Sequence, residues 1–510
     1  MQSDFEFSIN GNPHRGGGTP TQWGLLDYLR GNRITSAKDA CDGGDCGACS
    51  VLLIDSDCRQ RPVFRVVNAC QLTLPMVAGR EIWTAEAMSG GEEVHPLQEA
   101  LSQCEQFSCG YCLPGFSMAF GEIYGNPVET RSGRPLLPAV GNICRCTGYW
   151  PLYSALNGLL REEKIPANQP QASFLPSSHD GLLPAFACRD QAGNLFYRPG
   201  TLTEALRLLQ AHPDSKLVAG GSTYPASRQL PPRSKASRRV VISLESVTEL
   251  RQVAREQGQW QIGAAVTIRS LSDTLAGKFP LIARMTTRFG SPQVRNRATV
   301  GGNLALAEHD SDLVPVLLAL DAQVVISNLR EQRKLRLEDF LGGPSRTALS
   351  RGEILRTVLL ECPDSTARAQ DFCHHLSGFY KVSRRHHNDR AIVCAAFLVE
   401  LNEAGRVTRA RLCYGGVAEQ GMRAYGAEEL LTGALWGPRV ARRVAIALRQ
   451  AFPAQSDYMA TAGYRNAMAG QLWRKFFSEN RTPGQYAPVD RGLGEELTPF
   501  GTGLENVEDD

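Results

Sequence analysis

The sequence is short of several features that would place it quickly. No apolar run reaches the ~18–20 residues of a membrane-spanning helix, so no span is expected. The opening residues, MQSDFEFSIN, carry neither the basic start and apolar core of a secretion signal nor a twin-arginine leader, and a cytoplasmic protein is expected. A net charge of +3 provides no strong field of one sign, so neither nucleic acid nor a membrane surface is an expected partner. No repeat of fixed period is present, which excludes solenoid and propeller architectures. Cysteine is the residue in excess. The chain has 15, an odd count clustered in its first third, and in a chain without an export signal that argues against a disulfide framework and for metal ligation or buried thiols.

With 510 residues, about three to four domains are expected at roughly 100–200 residues each. Residues 1–90 alternate strand-like runs (FEFSIN, VLLI) with a helical stretch over 22–30, where Trp23, Leu26 and Leu29 share a face. Residues 91–165 read as all-helical, with cysteines at the helix ends (VHPLQEALSQC, GFSMAFGEIYG, LYSALNGLLREE). A stretch rich in Pro, Ser, Ala and Gln makes 166–194 a linker. Residues 195–365 alternate helices and short strands, an α/β pattern. Residues 366–484 open on strands (FYKVSR, IVCAAFLVEL, VTRARLCYGG) and close on helices (EELLTGAL, RRVAIALRQAF), an α+β pattern. The charged, aperiodic tail 485–510 is expected at the surface or disordered. The fold class is therefore multidomain α+β.

Two groups of cysteines carry chemistry. Cys41, Cys46 and Cys49 in CDGGDCGAC, followed by Cys70, have the C-x4-C-x2-C…C spacing of plant-type [2Fe–2S] proteins. Four thiolates must converge on two irons from one tight loop. Gly43, Gly44 and Gly47 allow that and let amides point at sulfur, which tunes the potential. Buried structural cysteines or a zinc site are the competing readings. The second group, Cys109 and Cys112 in CGYC with Cys144 and Cys146 in CRC, would by itself suit zinc or a redox dithiol as well as a cluster. The remaining cysteines (58, 104, 188, 362, 373, 394 and 413) show no ligand spacing and read mostly as buried packing residues.

Two Gly-Gly turns follow apolar strands, KLVAGGSTY at 216–224 and ATVGGNLALAEHDSD at 298–312. Such turns let backbone amides approach a diphosphate, although neither is the G-x-G-x-x-G of a dinucleotide fold. His309 reads as a polar loop residue. His386 and His387, in YKVSRRHHNDRA, would face opposite sides of a strand and so make poor joint metal ligands.

CDGGDCGAC, SCGYCLPGF and GNICRCTGYWP, taken together, resemble the iron–sulfur half of the molybdenum hydroxylases, the xanthine dehydrogenase and aldehyde oxidase family. VAGG followed by RNRATVGGN, then YKVSRR, LCYGGVAEQGMRA and YRNAMAGQLWRKFF, resemble its flavin half. The likeness covers about 5–165 and 195–480. It implies a β-grasp ferredoxin-like domain holding one [2Fe–2S] cluster on Cys41, Cys46, Cys49 and Cys70. A helical domain would hold a second cluster on Cys109, Cys112, Cys144 and Cys146, nearest a molybdopterin. An α/β FAD-binding domain and a C-terminal flavoprotein domain would follow. The resemblance assigns Val218, Ala219, Gly220, Gly221, Ser222, Thr223 and Tyr224 to the FAD diphosphate, and Thr299, Gly301, Gly302 and Asn303 to a second phosphate clamp. It sets Phe289 against the isoalloxazine, Asp312 on the FAD and Lys381 at the flavin edge, with NAD near His387–Asp389.

Because no molybdopterin domain follows residue 510, the resemblance implies the flavin and iron–sulfur subunit of a divided enzyme. Its large molybdopterin-binding partner would carry the purine site, so this chain would supply no catalytic residue to the hydroxylation. Electrons would run through the two clusters to FAD and then to NAD, and a dimer of heterodimers is the assembly implied. The expected function is the electron-transfer part of a xanthine dehydrogenase. The alternatives are the same part of an aldehyde, aromatic or carbon monoxide hydroxylase, or a stand-alone NADH-oxidising flavoprotein. Two positions depart from the family pattern. Ser108 stands where relatives commonly have Gln, and Glu308, His309 and Asp310 stand where they usually read Ser-Pro.

Overall fold

The computed structural model describes residues 4–41, 43–56, 62–88, 94–104, 108–125, 141–161, 183–223, 239–342, 346–362 and 374–481. Tyr224, Cys58, Cys373 and the tail 485–510 lie outside these residues. Among the described residues, no helix is long and apolar enough to cross a membrane.

The N-terminal sheet has five strands in the order Asn12–Arg15, Glu6–Ile9, Glu81–Trp83, Ser50–Ser56 and Pro62–Asn68. The Glu6–Ile9 and Glu81–Trp83 pair is parallel and the others are antiparallel. The crossing helix is Leu25–Gly31, shorter than the 22–30 periodicity predicts at its start. Trp23 and Leu25 are held by backbone hydrogen bonds to Leu74 and Leu72, at 2.8 Å each, so this stretch is extended and the helix begins only after Gly24.

The apolar run VLLI is buried on both faces of this sheet, which explains why it does not alternate. Val51 and Leu53 face a core with Phe7, Ile9, Leu25, Leu29 and Val67. Leu52 and Ile54 face a second core with Phe64, Val66, Phe116, Phe120 and Leu152. That second core is shared with the helices Pro96–Ser102, Leu113–Gly125 and Trp150–Arg161. The N-terminal sheet and these helices thus lie on two sides of one hydrophobic layer.

The last part of the expected linker is structured. Phe186–Arg189 is a strand, joined by a tight turn to Leu195–Arg198. Asp190 makes that turn by accepting from the Asn194 amide at 2.8 Å, and also accepts from the Thr21 amide at 3.0 Å, fixing the hairpin to the N-terminal domain. These strands belong to a four-stranded sheet with Val240–Ser243 and Lys216–Val218. A five-stranded sheet follows in the order Val253–Glu256, Gln259–Gly263, Ile354–Glu361, Gln323–Ser327 and Gln332–Arg336.

The C-terminal sheet is a meander of His374–Val382, Val393–Leu401, Val407–Gly415 and Met422–Arg423. Period-two alternation again divides a strand between cores. Cys394 and Ala396 pack toward the core built from 202–360, whereas Val393, Ala395 and Phe397 pack toward Pro438–Leu448 and Ala462–Glu479. Cys188, Cys362, Cys394 and Cys413 are all buried, as expected for packing residues, and Cys104 is half-buried.

One buried charge joins the halves. The Glu245 carboxylate meets Arg80 of the N-terminal domain at 3.0 Å, Arg297 at 3.0 Å and Arg198 at 4.0 Å. Burial pushes its pKa up, but the three guanidiniums outweigh burial and hold it down at about 2. Removing the carboxylate leaves buried cations uncompensated, which costs about 3–5 kcal/mol. Glu245→Gln should therefore melt well below the wild type in a thermal scan, while loss of the exposed Arg15–Glu6 pair should change little. Because the folded pKa lies below the ordinary 4.5, the Glu245 contribution is complete above that value and is lost as the pH falls toward about 2. Melting scans over that interval should show a drop in the wild type that is smaller in Glu245→Gln.

Candidate functional site

The loop carrying Cys41, Cys46 and Cys49 lies against Cys70, which sits in the short turn Ala69–Gln71 after the strand Pro62–Asn68. Gly44 and Gly47 have φ of 79° and 70°, where a side chain would be strained. Gly43 carries no such constraint. The sulfurs interact in two pairs, Cys41 with Cys46 and Cys49 with Cys70. A hydrogen bond from Cys46 holds Cys41 down to about 4, and the same bond pushes Cys46 up. Cys49 and Cys70 form the matching pair, Cys49 pushed up and Cys70 held down. Amides also point at sulfur, Cys46 N to Cys41 Sγ at 3.3 Å and Ala48 N to Cys46 Sγ at 3.4 Å. A convergent thiolate set with N–H donors around it fits a [2Fe–2S] cluster.

The peptide groups of this loop are held by side chains and backbone from four directions. Asn68 Nδ2 donates to Gly44 O at 2.6 Å, Ile143 N to Cys46 O at 2.9 Å and Asn142 Nδ2 to Gly47 O at 2.7 Å. Asn388 Nδ2, from the C-terminal domain, donates to Asp45 O and, at 2.9 Å, to Gly141 O. Gln293, from the flavin-binding half, donates to Asn142 Oδ1 at 2.9 Å and to Ser50 Oγ at 3.1 Å. The segment that holds the loop is therefore also the segment leading into Cys144.

In the second group, Cys112 precedes the helix Leu113–Gly125, and Cys144 and Cys146 lie before Trp150–Arg161. Cys144 Sγ and Cys146 Sγ are 3.6 Å apart. Burial, then the neighbouring Cys144, pushes Cys112 up to about 12. Cys144 is also raised by burial, but hydrogen bonds from Thr147 and Cys112 outweigh this and hold it at about 7. Cys109 lies in the turn just before, which closes with Leu113 N bonded to Gly110 O at 3.1 Å. Cys109 and Cys146 are exposed, Cys112 and Cys144 buried.

The second Gly-Gly pair is not a turn: Gly301 and Gly302 lie in the first turn of the helix Val300–Leu306. The first Gly-Gly turn packs on the segment just before that helix, so closely that a Cβ on Gly220 would lie 1.5 Å from Arg297 O, and Arg297 Nε donates to Gly220 O at 2.8 Å. Gly301 packs against Ala264, where a Cβ would be 2.5 Å from the alanine Cβ. Thr299 caps the following helix by accepting from Gly302 N at 3.0 Å, and Asn303 accepts from Ser311 at 2.6 Å. Phe289 is buried at the end of Pro280–Arg288. Asp312 and Lys381 are brought together at 2.5 Å, and Lys381 also donates to Arg288 O at 3.2 Å. Burial pushes the Asp312 carboxyl up against the pull of Lys381. Its second oxygen, Asp312 Oδ1, is buried with no hydrogen-bond partner, an open acceptor that fits a donor on a bound flavin. Ala219, Ser222 and Thr223 belong to the first turn, whereas Val218 ends the strand Lys216–Val218 and is buried in the N-terminal core, and Tyr224 falls outside the described residues.

The segment after Lys381 differs from its sequence reading. The strand ends at Val382, so His386 and His387 lie in a turn, and their rings touch with nitrogens 2.8 Å apart instead of facing opposite ways. Burial and the nearby cations hold His387 down to about 4. Arg390 explains the Glu308–His309–Asp310 departure. Its guanidinium takes Asp310 in a two-pronged pair at 2.7 and 3.1 Å and Glu308 at 3.1 Å. These three residues could together offer ligands to a metal ion, but Arg390 already supplies the cation that the two carboxylates require.

Sequence reasoning missed Asn68, Gln71, Asn142, Gln293 and Asn388. The first three stand within two residues of a cysteine ligand, as polar residues breaking apolar runs, and that is a usable signal. Gln293 and Asn388 have none, because their partners lie 243 and 343 residues away.

Three family models match the chain: the [2Fe-2S] binding domain over 84–157, the FAD binding domain in molybdopterin dehydrogenase over 188–360, and the CO dehydrogenase flavoprotein C-terminal domain over 378–480. A xanthine dehydrogenase of Emericella nidulans is 28% identical, across 89% of this chain and 37% of that protein. Xanthine dehydrogenase 2 of Arabidopsis thaliana is 28% identical, across 81% and 35%. Abscisic-aldehyde oxidase of Arabidopsis thaliana is 27% identical, across 96% and 40%. The chain thus spans little more than a third of the length of these curated relatives. Among solved structures, a Cu,Mo-CO dehydrogenase chain aligns with a TM-score of 0.49 and 24% identity, over 55% of this chain and 94% of that one.

The contact between Gly220 and Arg297 makes a sharp test. Gly220→Ala forces a methyl into Arg297 O, so the purified variant should lose its flavin absorbance while keeping the iron and labile sulfide of the wild type. Retention of flavin would remove the Gly220 turn from the flavin site.

Proposed function

We propose, from the premise that this chain carries the iron–sulfur and flavin-binding domains of the molybdenum hydroxylase family, that it is the electron-transfer subunit of a xanthine dehydrogenase. The observation that carries this reading is the hydrogen bond from Ile143 N, next to Cys144, to the carbonyl of Cys46. It joins one ligand set to the other through a single contact, and the first set's loop in turn touches the flavin-clamp half of the chain. Two [2Fe–2S] clusters and FAD, when bound, would supply one-electron carriage and its conversion to hydride transfer to NAD⁺.

The residues of this chain hold, orient and shield those groups. Cys41, Cys46, Cys49 and Cys70 would take one cluster, and Cys109, Cys112, Cys144 and Cys146 the other. Val218–Tyr224 and Thr299–Asn303 would hold the flavin diphosphate, with Phe289, Asp312 and Lys381 around the ring. The purine would be hydroxylated on a molybdopterin-bearing partner, and no residue here would touch it.

The second ligand set is open to that partner. Cys109 and Cys146 are exposed, and Trp150, which follows Cys146 closely, is 72% exposed. A large exposed aromatic beside an electron-transfer site suits a protein interface. Ser108, in the same turn as Cys109, and the Arg390 pairing with Glu308 and Asp310 favour a second reading, in which the partner acts on an aldehyde, another aromatic compound or carbon monoxide.

The deciding experiment is to purify the chain with its co-purifying partner, measure iron, labile sulfide, flavin and molybdenum, and assay xanthine with NAD⁺. About four irons and about one FAD per chain, with a molybdenum partner and xanthine-driven NADH formation, is the expected result. Full cofactors without xanthine turnover would replace the purine reading with another substrate. Trp150→Ala should keep the iron and flavin contents and weaken capture of the partner by about 2 kcal/mol in a binding titration.

A further inference from the structure

We propose that Gln71 is a positioning residue that couples the first cluster's loop to the flavin clamp, so that each site strengthens the other. The proposal rests on the assignment of Cys70 to a cluster and of Ser222 to the flavin clamp given above.

Gln71 follows Cys70 directly and is half-buried between two loops that come from different domains. With its amide oriented so that both hydrogen bonds form, its oxygen accepts from Gly44 N at 3.2 Å and its nitrogen donates to Ser222 O at 3.0 Å. Gly44 lies between Cys41 and Cys46, and its left-handed backbone, with φ of 79°, presents that amide to Gln71. A Cβ on Gly44 would stand 3.0 Å from Gln71 Cγ, so the approach needs glycine. The next residue back in the clamp is also braced from the same side, since a Cβ on Gly221 would lie 3.1 Å from Met76 Cε. Met76 is an apolar contact that any side chain of its shape could make. Gln71 is different, because it uses one donor and one acceptor to fix two backbones in a single geometry.

Such a bridge has a thermodynamic consequence. A contact that ties two sites must act equally in both directions, so whatever the formed cluster loop gives to flavin binding, bound flavin returns to the cluster loop. Gly44 lies in the loop whose Cys46 and Ala48 amides face sulfur, so its placement bears on the cluster's electronic structure. Asn142 and Asn388 hold the same loop, but they bind its carbonyls at Gly47 and Asp45, and among the described residues neither has a hydrogen bond to the 219–223 turn.

Gln71→Leu removes both hydrogen bonds at similar size. In the purified holoprotein it should weaken FAD binding about tenfold in a fluorescence titration, the scale of one or two lost hydrogen bonds. Iron and labile sulfide should stay at wild-type levels. The electron paramagnetic resonance signal of one reduced cluster should shift and that of the other stay fixed. Stripping FAD from the wild type should move that same signal, and stripping it from Gln71→Leu should not. If Gln71→Leu fails to retain iron, Gln71→Glu, which keeps the size and cannot donate to Ser222 O, is read by the same FAD titration. Wild-type FAD affinity in a variant with full iron, or cluster signals indifferent to FAD in the wild type, overturns the coupling. A wild type that holds no flavin or only one cluster would instead overturn the functional assignment beneath it.

Discussion

The rest of the structure depends on how the loop at 44–47 satisfies its backbone. A loop wrapped around four converging sulfurs cannot use the hydrogen bonds of a helix or a sheet, and buried peptide groups must still be paired. Here the partners come from elsewhere in the chain: Asn68 from its own domain, Asn142 and Ile143 from the helical domain, and Asn388 from the C-terminal domain. Each is a neutral amide, which can donate into a carbonyl without adding charge beside a thiolate set. Satisfying this one loop thereby sets the relative positions of three domains.

The same economy appears in the apolar layers. The strands Ser50–Ser56 and Val393–Leu401 each divide alternate residues between two cores, so a single strand belongs to two hydrophobic units at once. Domains joined this way cannot slide without exposing apolar surface. Glu245 adds a charged fastening, placing one carboxylate among Arg80, Arg198 and Arg297, and through Arg297 it reaches the carbonyl of Gly220. Docking of the N-terminal domain and the shape of the Gly220 turn are therefore linked by one short chain of contacts.

The candidate site was legible where chemistry demands a fixed residue at a fixed spacing. The eight cysteines, Gly44 and Gly47, and the two Gly-Gly pairs could be read directly, because irons accept few ligands and a turn pressed on another backbone tolerates no Cβ. The strands and helices could be read from their periodicity, with errors where a tertiary contact intervened. Trp23 was read as helical and is instead held extended by the 72–74 segment, and the supposed linker ends in a strand because Phe186 finds a partner in Arg198. The adjacent histidines were read on a strand that had already ended.

The sequence by itself marked two candidate thiolate sets and two glycine pairs, since each follows from local spacing and the conformations that glycine and cysteine allow. Only the tertiary structure decided which amides close the 44–47 loop, that Arg390 neutralises Glu308 and Asp310, and that Asp312 meets Lys381. Those pairings join residues far apart in the chain. Nothing in the local sequence of Asn388 or Gln293 distinguishes an amide that solvent will satisfy from one that a distant carbonyl will claim.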